Sequence, residues 1–102
     1  MTNITPEEVK QRLESGESLN LVDVRQPEEN EEFNIGGILV PLPDIRNMQT
    51  EKIDDLKDKE VICYCRSGNR SGQAALILEQ LGFTDIKNLT GGMLAWREKF
   101  AG

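Results

Sequence analysis

Chemistry concentrates in one stretch of the chain, Cys65-Arg66-Ser67-Gly68-Asn69-Arg70, with Ser71 and Gly72 behind it. An apolar run, Val61 to Tyr64, leads into the cysteine, and a helical pattern starting near Ser71 leads out. A thiol placed there sits at a strand end and faces a short loop that opens a helix. Exposed backbone N–H groups and the positive end of a helix favour anionic sulfur. Arg66 and Arg70 add fixed positive charge, and such a loop can cup an anion in a nest of amides. Ser67, Gly68 and Asn69 would supply N–H groups, and Gly68 permits the tight curl. Cys65 is therefore the candidate catalytic residue, and Arg66, Ser67, Gly68, Asn69 and Arg70 are the candidate substrate-binding residues.

Composition removes other chemistries. The chain has no histidine, which excludes Cys-His and Ser-His-Asp hydrolases and the common histidine-bearing metal sites. The second cysteine, Cys63, is expected to face the opposite way from Cys65. That would be poor disulfide geometry, and it favours buried packing over a role as a resolving thiol. Two thiols alone make a poor zinc site, and a chain without a disulfide framework suits a reducing compartment. The net charge of −6 argues against nucleic acid and anionic membranes as partners, since both reward basic patches. No apolar run approaches the roughly 20 residues of a membrane helix, and no signal-peptide pattern is visible, so a cytoplasmic location is expected.

The elements that must position Cys65 follow from periodicity and turn chemistry. At 102 residues the chain is expected to be one domain, residues 1–102, and its 37% hydrophobic and 29% charged content is that of a globular protein. Thr5, Pro6 and Glu8 mark a capped helix start, with Val9 and Leu13 on its apolar face and Gly16 as its stop. Leu19 to Val24 predicts a strand, Pro27 to Asn34 a short acidic helix, and Ile38-Leu39-Val40 a short strand ended by Pro41 and Pro43. Asp44 to Met48 and Glu51 to Leu56 predict one or two short helices. Val61 to Tyr64 reads as a strand buried on both faces. A helix over Ser71–Leu81, a strand over Phe83–Leu89 and a helix over Met93–Phe100 complete the chain, with Met93, Trp96 and Phe100 as a core stripe. This alternation predicts an α/β fold with a mostly parallel sheet. Ligands bind such sheets at the strands' C-terminal ends, where the Cys65 loop lies. Asp23 and Arg25 end an earlier strand, either as a functional pair or as an ion pair that fixes its loop.

Taken together, these segments resemble the rhodanese family of single-domain sulfurtransferases along nearly the whole chain. Leu21-Val22-Asp23-Val24-Arg25 followed by Glu28 resembles the family's Asp-Val-Arg strand end. Phe33 to Pro43 resembles its "GHIxGAxxIP" stretch, and Tyr64 to Ser71 its active-site loop. Leu81-Gly82-Phe83 and Leu89 to Trp96 resemble its C-terminal signature. Asn34 departs from the usual histidine and Ile38 from a small residue, a change expected to affect packing of that turn rather than chemistry.

The resemblance implies a central parallel five-stranded sheet flanked by helices, and a persulfide on Cys65. A sulfane-sulfur donor such as thiosulfate would pass its outer sulfur to the thiolate. A thiophilic acceptor, cyanide or a thiol, would remove it, with a protein sulfur acceptor as a further partner. No metal or organic cofactor is expected. Without an imidazole, the thiol must be tuned by loop amides, the helix start and the two arginines. Arg66 is assigned to the anionic donor, and Arg70 to the loop's shape and positive potential. The span from Cys65 to Arg70 is six residues, one fewer than in the related Cys-dependent phosphatases, a narrower cup that favours sulfur over phosphate. The alternatives are a non-catalytic rhodanese-like binding module, then a Cys-dependent phosphatase or arsenate reductase.

Overall fold

The computed structural model describes residues 1–100. Five strands, β1 (Thr2–Ile4), β2 (Leu21–Asp23), β3 (Ile38–Leu39), β4 (Glu60–Tyr64) and β5 (Asp85–Leu89), form one parallel sheet in the order β1-β5-β4-β2-β3. The helices are α1 (Pro6–Glu14), α2 (Pro27–Glu32), α3 (Leu42–Arg46), α4 (Asn69–Gln80) and α5 (Gly92–Phe100), with a single 3₁₀ turn at Asp54–Leu56. The α/β fold with a parallel sheet is thus the one the alternation of elements predicts, and its five strands are those the resemblance implies.

Central strand β4 shows why its residues read as a continuous apolar run. Val61 and Cys63 pack on one face with Ala74, Ala75 and Leu78 of α4 and Ile45 of α3. Ile62 and Tyr64 pack on the other with Val9 of α1 and Met93 and Trp96 of α5. Both faces are covered by helices, so neither half of the two-residue alternation needs to be polar. The Met93–Trp96 stripe belongs to the core, and Phe100 packs edge-on to Trp96 with ring centroids 4.9 Å apart. At α1, Thr5 Oγ1 accepts the Glu8 N–H at 3.1 Å, the cap expected from its sequence.

Two helix starts and one side-chain direction near the cysteine loop differ from the sequence reading. The prolines at 41 and 43 do more than stop β3. Pro41 is the N-cap of α3 and Pro43 lies in its first turn, where a missing N–H costs nothing, so α3 begins before Asp44. Helix α4 begins at Asn69, two residues earlier than the Ser71 start, because Gly68 takes φ +101° as its cap and its carbonyl accepts the Gly72 N–H at 3.1 Å. The third difference is a correction. Cys63 and Cys65 do not face opposite ways. Residues two apart on an extended chain share a face, and both thiols pack in the same cluster, reduced and buried.

Candidate active site

Strand β4 ends at Tyr64, and Cys65 follows as a buried residue, 1% exposed. The chain then turns through exposed Arg66 and Ser67 to Gly68 and enters α4. This geometry places the first amides of a helix around the sulfur. The Gly68 N–H points at Cys65 Sγ from 3.1 Å, and the Ser71 hydroxyl oxygen lies 3.4 Å from the same sulfur. Burial pushes the thiol up. The Ser71 hydroxyl and the amides of Ser71, Gly68 and Ser67 outweigh it, and Cys65 titrates below an ordinary cysteine. Cys63, one strand period earlier, has no such support, and burial pushes it up to about 12. The same strand face therefore carries one tuned thiol and one inert thiol.

The two loop arginines part company. Arg70 turns away to α2, where its two terminal nitrogens donate to Glu29 Oε1 and Oε2 at 2.8 Å each. That pair holds the Glu29 carboxyl down to about 2. Arg70 feels the charge of Cys65 at a distance, while its hydrogen bonds tie the loop to α2. Arg66 stays exposed, and no ion pair among the described residues engages it. It lines a cavity of about 250 Å³ together with Phe33, Met93, Leu94 and Arg97. Cys65 itself does not line that cavity. Asn69 is the first residue of α4 and is exposed.

Asp23 and Arg25 form a buried bidentate pair, Nε to Oδ1 at 2.9 Å and Nη2 to Oδ2 at 2.8 Å. Arg25 Nη2 also donates to the Phe33 carbonyl at 2.6 Å, and Asn30 Nδ2 donates to Asp23 Oδ2 at 2.9 Å. The network fastens the C-terminal half of α2 to the end of β2, on the helix that carries Glu29 to Arg70. Asn34 closes the following turn, accepting the Gly36 N–H and donating to the Asn30 carbonyl, both at 2.8 Å. Gly37 lies against the Tyr64 ring, where an added Cβ would sit 2.6 Å from the hydroxyl oxygen. On the opposite side of the loop, the Met93 and Leu94 N–H groups bond the Cys65 and Arg66 carbonyls at 2.9 Å each. Gly92 makes this approach feasible, since a Cβ there would lie 2.4 Å from the Cys65 carbonyl oxygen.

Two residues escape a reading that starts from the loop. Asn88 of β5 is buried and donates from Nδ2 to the Gly68 carbonyl at 3.1 Å, while its Oδ1 accepts from the Ser71 hydroxyl. A polar side chain inside a buried strand is the signal that could have found it. Glu29 has no comparable signal, because its neighbours Glu28, Glu31 and Glu32 are equally acidic.

The comparisons agree with this geometry. The model of the family described as "Rhodanese-like domain" matches residues 5–99. The chain is 38% identical over 96 residues to a sulfurtransferase of Allochromatium vinosum, covering 94% of this chain and 88% of that protein. It is 33% identical over 98 residues to the probable adenylyltransferase/sulfurtransferase MoeZ of Mycobacterium tuberculosis, covering 96% of this chain but only 25% of the longer protein. A crystal structure of a rhodanese-like domain protein from Staphylococcus aureus superposes with a TM-score of 0.83 at 32% identity, over 94% of this chain and 91% of that one. No helix among the described residues is long and apolar enough to cross a membrane. A parallel sheet that ends in a cysteine loop, and matches of this extent, show that the chain belongs to the rhodanese-like domain family.

Proposed function

We propose that Cys65 is a sulfur carrier, taking sulfane sulfur from an anionic donor such as thiosulfate and delivering it to cyanide or a thiol. The observation that carries this reading is a buried sulfur surrounded by neutral donors, Gly68 N–H at 3.1 Å and Ser71 Oγ at 3.4 Å. These donors hold a thiolate without a base, which suits a chain with no imidazole. The thiolate attacks the outer sulfur of thiosulfate. A Cys65 sulfur–sulfur bond forms, the donor's sulfur–sulfur bond breaks, and sulfite leaves with the electron pair. The acceptor then attacks the outer persulfide sulfur, and the Cys65 thiolate leaves. Every leaving group is a stable anion, so no general acid is required. Arg66, exposed on the loop itself, binds the anionic donor; a protein thiol or sulfur carrier is an equally suitable acceptor. Two free cysteines fit a reducing, cytoplasmic setting.

Mass spectrometry after thiosulfate treatment tests this. Wild type and Cys63→Ser gain one sulfur atom and form thiocyanate from cyanide, and Cys65→Ser does neither. Sulfur transfer by Cys65→Ser would overturn the mechanism. An unmodified wild-type Cys65 would favour a binding module.

A further inference from the structure

The Ser71 hydroxyl has one proton and two acceptors. Its oxygen lies 3.4 Å from Cys65 Sγ and makes a short hydrogen bond to Asn88 Oδ1. Asn88 is not free to present its other end, because Nδ2 is spent on the Gly68 carbonyl at 3.1 Å. The side chain is also confined: Asn88 is 8% exposed, and a Cβ added to Gly72 would sit 3.4 Å from Nδ2. Ser71 is fully buried, so water does not complete its bonding. Sulfur and carboxamide oxygen therefore compete for a single hydroxyl proton.

We propose that Asn88 is a positioning residue for Cys65: its carboxamide oxygen sets where the Ser71 proton points, and so whether Sγ meets a proton or a lone pair. The proposal rests on Cys65 being the nucleophile. When Sγ carries charge, the Ser71 O–H turns to it. When the charge has moved to the outer atom of a persulfide, the O–H turns back to Asn88 Oδ1. Only an O–H bond rotates, and no proton changes its owner. The Gly68 N–H stays on Sγ throughout, because the Gly68 carbonyl is also held by the Gly72 N–H at 3.1 Å. Asn88 thereby keeps the sulfur from being held too firmly as a thiolate, which would slow its attack on the next donor.

The test is a titration of the thiol, read as the pH dependence of alkylation and assigned to Cys65 by peptide mass spectrometry. Removing the competing oxygen in Asn88→Ala gives Ser71 wholly to the sulfur, and the midpoint falls by about one pH unit, a tenfold change in the thiolate-to-thiol ratio. Ser71→Ala raises the midpoint. In the Ser71→Ala background, Asn88→Ala has no effect, as a shared proton demands. Asn88→Asp keeps the size but gives up the Nδ2 bond to the Gly68 carbonyl and adds a charge; its carboxylate also holds the Ser71 proton more firmly, so the midpoint rises by more than the same substitution gives in the Ser71→Ala background, where only the charge acts. Arg70 and Cys63, the groups electrostatically coupled to Cys65, remain in every variant. An unchanged or higher midpoint in Asn88→Ala, or a shift that survives without Ser71, overturns the proposal. Should Asn88→Ala not fold, a rise in Asn88→Asp no larger than in the Ser71→Ala background overturns it, as does Ser71→Ala without a rise. Alkylation reads the thiolate and not sulfur transfer, so failure here leaves the proposed function standing, and loss of sulfur transfer with this pattern intact faults only that function.

Discussion

Glu29→Gln tests how the loop is anchored. The substitution keeps the side chain's shape and removes its charge. In the wild type, two Arg70 nitrogens reach the carboxylate at 2.8 Å, with the two side chains 33% and 31% exposed. Arg70's hydrogen bonds take the Glu29 carboxyl from 4.5 to about 2. Fully transmitted, that depression would be worth about 3 kcal/mol. Solvent screening at a site nearly one-third open reduces it to about 1 kcal/mol. For a domain of this size, about 1 kcal/mol lowers Tm by roughly 4–8 °C. The sign of the pH dependence follows from the direction of the shift. The folded pKa is depressed, so the contribution is complete above the unfolded value of 4.5 and is lost as pH falls toward about 2. Urea denaturation of both proteins should show a constant gap from about pH 7 to about pH 5, closing toward about pH 2. A gap that persists undiminished at low pH, or an equal cost of Glu29→Gln in an Arg70→Met background, refutes the assignment of this pair as the loop's tie to α2.

Two further outcomes follow from the loop's surroundings. Arg66→Ala should raise the KM for an anionic donor about tenfold or more, the cost of one lost charge-assisted contact, with kcat for a neutral persulfide donor retained; steady-state kinetics with both donors check this. Gly92→Ala combines a φ of +54° with a Cβ 2.6 Å from the Arg66 carbonyl carbon. It should cost about 2 kcal/mol or more in urea denaturation and abolish the rapid alkylation of Cys65.

Much of this molecule is legible in the sequence because its signals are local. Alternating strands and helices, the Thr5 cap and the glycine-bearing loop at a strand end each depend on neighbouring residues. The features that are not legible depend on partners far along the chain. Arg70 is assigned to the loop's shape from the sequence, but its partner is not legible there, because Glu29, 41 residues earlier, gives no local sign that it will face the loop. Asn88 reads as an ordinary strand residue until β5 is laid beside β4, where its register opposite Cys63 brings it under the loop. Cys63 shares its face with Cys65, against the sequence expectation, because strand side chains repeat their direction every two residues. Pro41 and Pro43 have two meanings, strand stop and helix start, and only the packing of Leu42 and Ile45 into the core selects the second.

The bonds from Met93 and Leu94 to the Cys65 and Arg66 carbonyls have a temporal meaning as well as a spatial one. A ribosome makes Cys65 well before it makes α5. Until that last helix is synthesised and docks, the carbonyls of the cysteine loop lack their partners, and the loop has nothing to hold its curl on that side. The curl of the cysteine loop is therefore completed by the final segment of the described fold, whereas Ser67, Gly68 and Ser71, the groups that lower the thiol, are all made before it.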